Sequence, residues 1–241
     1  MVNNNSNTTF SAAYLKHLAL ITMLIDHIGY VLLPDVMLLR YIGRLSFIIF
    51  AFLIAEGALH TRSRLKYCAR LLAVAIISQP IYSYAKHSDA FVLKDLNVFF
   101  LLASAVMMLS AIDYVKGWRF EYICKIVILG VFSLAGRCLH IEYDFYGYAL
   151  AACFYEFRGN KGNILIAATL ITVALLPLWK ILLFRWDIVN AVDYTLIESV
   201  GLISLFFILN YNGEKGGQIH KAFYYFFYPV HLSILILIKL L

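Results

Sequence analysis

The sequence is an almost unbroken series of apolar segments, most of them long enough to form a transmembrane helix, separated by short polar breaks. Hydrophobic residues make up 63% of the 241-residue chain and charged residues 14%. Soluble domains are typically about 45–50% apolar and about 25% charged. Because a transmembrane helix takes roughly 20 residues, the chain has room for about nine or ten. The composition therefore predicts an all-α, polytopic membrane bundle and excludes a soluble globular domain.

The apolar segments place the predicted spans along the whole chain. They cover residues 14–34, 38–58, 66–84, 96–115, 120–136, 145–157, 163–180, 190–210 and 222–241. No linker or low-complexity tract divides them, so we expect one integral membrane domain over residues 1–241. The first residues have neither a basic region nor a cleavage site of small residues, which predicts a short polar tail at 1–13 rather than a signal peptide.

The distribution of Lys and Arg predicts the orientation. More of the 20 basic residues lie in the breaks on the side of the N-terminus than on the opposite side, and basic loops stay in the cytoplasm. The N-terminus is therefore expected to be cytoplasmic. These loops and anionic lipid account for the net charge of +6, so no nucleic-acid partner is expected. The four cysteines show no CxxC spacing and the histidines are scattered, so no metal site is predicted.

Two polar residues, Asp26 and His27, interrupt the first apolar segment, "ALITMLIDHIGYVLLP". A charge in the membrane costs at least about 2.5 kcal/mol, so such residues usually have a function. Counted from the outer helix ends, Asp26 lies about 12 Å deep and Arg44 of the next segment about 9 Å deep. This match predicts an Asp26–Arg44 ion pair. The pair either clips two helices together or belongs to a site in which Asp26 orients His27 as a general base.

Other polar residues are candidates for the same site or for packing. His231 lies near the middle of the last segment, two residues after Pro229, and either a packing or a catalytic role is open to it. Glu56 lies about 18 Å along the helix from Arg44, so these two residues cannot pair. The candidate substrate contacts are Gln79, Asn97, Asp144, Tyr146 and Tyr228. For Gln79, Asn97 and Asp144, however, helix capping or an interhelical hydrogen bond is the favoured explanation.

The break "EGALHTRSRLKYCAR" concentrates basic side chains at the predicted cytoplasmic face. Membrane topology alone would account for them. Alternatively they form a phosphate-binding mouth for an anionic cofactor, since arginine suits bidentate phosphate contacts. The residues concerned are His60, Arg62, Arg64, Lys66 and Arg70.

The ordered motifs resemble those of one known family. They are "LKHLALITMLIDHIG", "LRYIGRLSFIIFAFLIAEGALHT", "YCARLLAVAIISQPIY", "YDFYGYA" and "FYYFFYPVHL". The set resembles the TraX family, which comprises membrane proteins of conjugal transfer and fimbrial assembly associated with acetylation of the pilin N-terminus. The sequence departs from the family pattern at Ile48, where a proline is often found nearby. The resemblance implies a multi-pass protein of the bacterial inner membrane that transfers acetyl from acetyl-CoA to a pilin-like amine, with His27 as a catalytic residue.

On this resemblance, each candidate residue has an expected role. The phosphates of acetyl-CoA would meet Arg62, Arg64, Lys66 and Arg70, and its pantetheine arm would pass Glu56. His27 would act as base, oriented by Asp26. Arg44 would stabilise the oxyanion or hold Asp26, and His231 would protonate the thiolate or bind the acceptor.

Two other classes of function stay open. The chain could be a proton-coupled transporter or flippase, because intramembrane Asp, His and Arg also form proton relays. It could also be a non-catalytic factor for pilus assembly.

Overall fold

A computed structural model describes residues 9–88, 95–217 and 219–241. These residues form helices and contain no β-strand beyond two isolated bridges, Phe10–Tyr211 and Leu96–Ile141. The helices are α1 (Ala12–Val31), α2 (Met37–His60), α3 (Arg64–His87), α4 (Val98–Tyr114), α5 (Glu121–Cys138), α6 (Asp144–Glu156), α7 (Lys161–Phe184), α8 (Ile188–Leu209) and α9 (Lys221–Leu240). Helix α7 contains a π turn, and helix α8 contains a 3₁₀ turn.

Side-chain caps begin several of these helices. The hydroxyls of Ser11 and Ser63 accept hydrogen bonds from the first turns of α1 and α3. Asn97 and Asp187 do the same for α4 and α8. Such residues are preferred at helix N-caps because they satisfy backbone N–H groups that have no partner within the helix. Comparison of the helix bounds shows that each predicted segment coincides with a helix to within a few residues. The all-α prediction is confirmed.

The residues that the structure describes contain fewer candidate membrane spans than the nine or ten predicted from the sequence. Four helices in the described part of the chain have both the length and the apolar composition to cross a membrane: Met37–His60, Lys161–Phe184, Ile188–Leu209 and Ala222–Leu240. Helices α1 and α3 are long enough but carry several charged or histidine side chains. Helix α6 has 13 residues, which reach only about 20 Å. Residues 1–8 of the predicted polar tail lie outside the described residues.

Helix α2 occupies the centre of the molecule. It packs against α1, α4, α6 and α8, while α9 packs against α1 and α3. Its side chains Phe47, Ile48 and Ile49 are almost fully buried. In contrast, α5, α7 and α8 expose many large apolar side chains, for example Ile126, Leu182 and Leu196. An exposed apolar surface of this extent is unusual for a soluble monomer and is what contact with lipid requires.

Candidate active site

A chain of ion pairs joins α1, α2 and α8 inside the bundle. The Asp26 carboxylate receives hydrogen bonds from Arg40 Nη1 and from Arg44 Nη2, each at 2.7 Å. Arg44 Nη1 donates to Glu198 at 2.8 Å and to the Tyr143 hydroxyl at 3.1 Å. Asp26, Arg44 and Glu198 are all buried. The predicted Asp26–Arg44 pair is confirmed, and it forms part of a larger network that balances two cations against two anions.

Two glycines allow the backbones to approach closely enough for this network. A Cβ atom at Gly43 of α2 would lie 2.1 Å from Asp26 Oδ1, and one at Gly201 of α8 would lie 2.8 Å from the Arg44 carbonyl oxygen. Any larger residue at either position would push α1 or α8 away from α2. The close approach of the α1 and α8 backbones to α2 places the carboxylates of Asp26 and Glu198 within hydrogen-bonding distance of Arg44.

His27 pairs with His231 rather than with Asp26. His27 Nδ1 lies 2.6 Å from His231 Nε2, and the two rings are stacked. His231 Nδ1 lies 2.6 Å from the Phe227 carbonyl oxygen. Since a carbonyl oxygen only accepts, His231 Nδ1 carries a proton, and in the neutral ring Nε2 is then an acceptor. His27 must donate through Nδ1, which leaves the lone pair on His27 Nε2.

Aromatic rings surround this histidine pair. The Tyr228 ring centroid lies 5.6 Å from that of His27 and 5.8 Å from that of His231. Phe99 contacts the opposite side of Tyr228, at 5.2 Å. Tyr228 is only 1% exposed, so its ring shields the His27–His231 hydrogen bond. Of the five predicted substrate contacts, Tyr228 is the one that contacts the histidine pair.

The first cavity, here called the His27 cavity, has a volume of about 170 Å³. Its lining carries charges of both signs from α1, α2, α3 and the turn before α6. The polar residues are Asp26, His27, Tyr30, Arg40, Arg44, Tyr82, Lys86 and Glu142. Because no hydrogen bond joins His27 Nε2 to another described residue, this nitrogen is available to a molecule in the cavity.

The second cavity, here called the Arg70 cavity, has a volume of about 240 Å³. It lies at the opposite ends of α1 and α3, about 15 Å away along α1. Leu20, Phe50 and Leu53 give it an apolar wall, and Lys16 and Arg70 supply positive charge. Phe99 also lines it, so the ring contacts from Phe99 through Tyr228 to His27 connect the two cavities.

The predicted basic mouth is only partly available to a ligand. Arg64 pairs with Asp113 at 2.5 Å and donates to the Tyr155 hydroxyl at 2.7 Å, so its guanidinium holds α3 against α4 and α6. Arg62, Lys66 and Arg70 are exposed, and Arg70 lines the second cavity. His60 is half exposed, and its Nδ1 lies 2.9 Å from the Glu56 carbonyl oxygen.

Glu56 does not line the Arg70 cavity. Its carboxylate accepts a hydrogen bond of 2.8 Å from Arg158, which joins α2 to the end of α6. The expected path of a pantetheine arm past Glu56 is therefore not supported. An ion pair between helix ends explains why this acidic residue is buried.

Three of the remaining predicted contacts have structural partners. The Gln79 side chain accepts from both nitrogens of Asn97 and donates to the Asp95 carbonyl oxygen at 2.7 Å. Asn97 also caps α4 through Phe99 N. Tyr146 is buried and its hydroxyl lies 3.2 Å from that of Thr172. These contacts hold helices together and leave little for a substrate.

Asp144 lies apart from the histidine pair. It is 3% exposed at the start of α6 and has a φ of 23°. Asp144 does not line the His27 cavity. Asp144 is the first residue of α6, the N-cap is Tyr143, and no side-chain cap hydrogen bond forms there, so the favoured capping explanation is not borne out for Asp144. A carboxylate in the first turn is nevertheless favourable beside the positive end of the helix dipole.

Sequence reasoning missed Arg40, Glu142, Tyr143 and Glu198. Arg40 precedes Arg44 by four positions and so lies on the same helix face, a spacing visible in the sequence. Glu198 interrupts an apolar segment, which is the same signal that identified Asp26. Glu142 and Tyr143 lie in a turn between helices, and nothing local indicates that the turn folds over the site.

The fold and site define a class: a polytopic helical membrane protein with a histidine pair and an ion-pair network inside the bundle. The model of a family described as TraX protein matches residues 11–239. The chain belongs to the TraX family. It is also similar to a probable fimbrial assembly protein FimC, serogroup H1, of Dichelobacter nodosus, with 29% identity over 95% of this chain and 96% of that protein. No solved structure matches it significantly.

Proposed function

We propose that this chain is a membrane-embedded N-acetyltransferase that moves an acetyl group from acetyl-CoA to a primary amine. One observation carries the proposal: the His231 hydrogen bond fixes His27, a residue that lines the cavity, as the Nδ1–H tautomer and leaves its Nε2 without a described partner. A neutral imidazole with one free nitrogen is what general-base catalysis near neutral pH requires. Membership of the TraX family is consistent with this activity.

The chemistry follows from the position of that nitrogen. An ammonium acceptor loses one proton to water and attacks the thioester carbonyl as the neutral amine. His27 Nε2 takes a second proton as the C–N bond forms and gives it to the thiolate when the C–S bond breaks. The products are the amide, the CoA thiol and one released proton. His231 shares the positive charge that builds up on His27, because its own proton is held by the Phe227 carbonyl.

Arg40 is the better candidate to stabilise the oxyanion. Arg44 uses most of its N–H groups in hydrogen bonds. The acceptors are Asp26, Glu198, Tyr143 and the Arg40 carbonyl. Both hydrogen bonds from Arg40 to described residues come from Nη1. Its Nε and Nη2 groups are therefore left for charge that develops in the transition state, while Arg44 holds Asp26 in place.

The two cavities fit a donor and an acceptor that approach from opposite ends of the bundle. Lys16 and Arg70 suit the phosphates of acetyl-CoA, and the apolar wall of the Arg70 cavity suits its pantetheine arm. The thioester would then reach the histidine pair beside Tyr228. The acceptor would occupy the His27 cavity. The positive-inside rule puts the Arg70 cavity on the cytoplasmic side of the inner membrane.

The proposed acceptor is the N-terminus of a pilin-like peptide. The FimC relative is named as a probable fimbrial assembly protein, and fimbriae are built from pilin subunits. A site inside a helix bundle suits a substrate that is itself held in the membrane. The name of this relative also favours a second candidate function, which is pilus assembly without catalysis.

The test is acetyl transfer from radiolabelled acetyl-CoA to a peptide with a free N-terminus, using the purified protein. We expect His27→Ala to abolish transfer while the protein still folds and inserts into the membrane. The matched control is His140→Asn, which removes an exposed imidazole at a residue whose φ of 51° asparagine tolerates. Full activity in His27→Ala would refute the mechanism. Substrate flux into vesicles without any CoA would instead support a transporter.

A further inference from the structure

Glu142 lies in the turn between α5 and α6, and the backbone of this turn is fixed on both sides. Its N–H donates to the Leu96 carbonyl at 3.0 Å, and Leu96 N–H donates to the His140 carbonyl at 3.0 Å. The following residue, Tyr143, bonds to Arg44. These contacts do not involve the Glu142 side chain, which lines the His27 cavity. The side chain is therefore not needed to hold the turn in place.

The carboxylate of Glu142 is the unmatched charge of this cavity among the described residues. Arg40 and Arg44 are balanced by Asp26 and Glu198. The third lining cation, Lys86, pairs with Asp95 at 3.2 Å. No ion pair or side-chain hydrogen bond joins the Glu142 carboxylate to another residue that the structure describes. The lining itself carries three cations and two anions. Counted together with Glu198 and Asp95, which pair with these cations from outside the lining, the group has one more negative than positive charge when Glu142 is ionised.

A carboxylate in this position favours a cationic ligand. Burial raises the pKa of Glu142 above its ordinary value, although Lys86 and Arg44 oppose this effect. A partly buried anion without a partner is unfavourable, and a cation with hydrogen-bond donors removes that cost. An alkylammonium group carries a single charge and three donors. A cavity of about 170 Å³ has room for such a group.

We propose that Glu142 binds the ammonium group of the acceptor and so restricts the site to primary amines. This inference rests on the proposed function, because it assigns the acceptor to the same cavity as His27 Nε2. The ligand class is an N-terminal ammonium or another primary alkylammonium, and hydroxyl acceptors would bind weakly. Glu142 positions the nitrogen, and His27 takes the proton when the amide forms.

The test measures binding without the acetyl donor, so that it does not depend on catalysis. Trialanine amide and its N-formyl derivative, which lacks the ammonium group, are titrated calorimetrically into the detergent-solubilised protein. We expect Glu142→Gln to weaken binding of trialanine amide by at least about tenfold and to leave binding of the formyl peptide unchanged. Glu142→Asp should retain part of the affinity.

Asp35→Asn is the matched control. Asp35 is an exposed carboxylate in the loop between α1 and α2, at the same end of the molecule and outside the cavity lining. We expect this variant to bind as the wild type does. The proposal fails if Glu142→Gln binds trialanine amide normally, if Asp35→Asn loses as much affinity, or if the wild type does not prefer the free amine.

The two proposals can fail separately. Acetyl transfer by the wild type, with an unchanged KM for the amine in Glu142→Gln, would leave the acetyltransferase standing and overturn the role of Glu142. If binding depends on Glu142 but the protein transfers no acetyl group, the role of Glu142 stands and the proposed acetyltransferase activity is overturned.

Discussion

At the scale of single residues, the position of one proton decides what His27 can do. The carbonyl of Phe227 accepts from His231, which in turn makes His231 accept from His27. This order leaves the free lone pair on Nε2 of His27, a residue that lines the His27 cavity. A backbone carbonyl thus has the role that a carboxylate has in many catalytic histidine sites: it fixes a tautomer without adding a buried charge.

A substitution of His231 tests this arrangement. His231→Ala removes the acceptor for His27 Nδ1–H, and we expect the transfer rate to fall by about tenfold to a hundredfold. His231→Gln offers a side-chain oxygen as acceptor and should recover part of the rate. Initial rates at saturating acetyl-CoA, with melting temperatures alongside, measure the effect. Equal losses in the two variants would indicate that His231 only fills space.

At the scale of helices, the close contact of α1 with α2 depends on a glycine, which has no side chain. Gly43 faces Asp26 so closely that a Cβ atom has no room. Both helices carry polar residues that are costly in a membrane, and the contact allows these residues to neutralise each other. The packing of the two helices and the geometry of the ion pairs are therefore one structural feature.

Gly43→Ala should separate α1 from α2. We expect it to lower the free energy of unfolding by about 1–3 kcal/mol and to reduce acetyl transfer, because Asp26 and Arg44 move apart. Unfolding in detergent measures the stability. Gly130→Ala is the control, since a Cβ atom added at Gly130 of helix α5 would meet no neighbouring helix within 4 Å, and alanine there should be neutral or slightly stabilising. Equal stability of the two variants would contradict this account.

At the scale of the whole molecule, two cavities lie at opposite ends of α1 and α3, and Tyr228 contacts His27 of one cavity and Phe99 of the other. Lys16 and Arg70 line one cavity, and Glu142 lines the other. The charged residues of the Arg70 cavity are all positive and suit an anionic donor, whereas the His27 cavity has charges of both signs and the Glu142 carboxylate for the ammonium group of the proposed acceptor. This difference in charge also ties the function to the orientation of the chain in the membrane.

Cysteine labelling tests the orientation. In a cysteine-free background, Asp35→Cys and Arg62→Cys place one thiol in each of the two loops that flank α2. With the N-terminus in the cytoplasm, a membrane-impermeant maleimide should label Asp35→Cys on intact cells and Arg62→Cys only after permeabilisation. The opposite pattern would invert the topology and put the Glu142 side of the site in the cytoplasm.

The sequence alone was enough to predict the helices, because hydropathy and capping residues act over a few positions. It also predicted the Asp26–Arg44 pair, since a short loop makes α1 and α2 antiparallel neighbours. Which residue orients His27, in contrast, depends on how distant helices pack together. The sequence favoured its neighbour Asp26, but the partner is His231, which lies 204 positions away. Likewise, Arg64 and Glu56 looked available for a ligand, yet each is neutralised by a residue that is distant in the sequence. Hydropathy reports how costly a buried polar group is, whereas helix packing alone decides which other group offsets that cost.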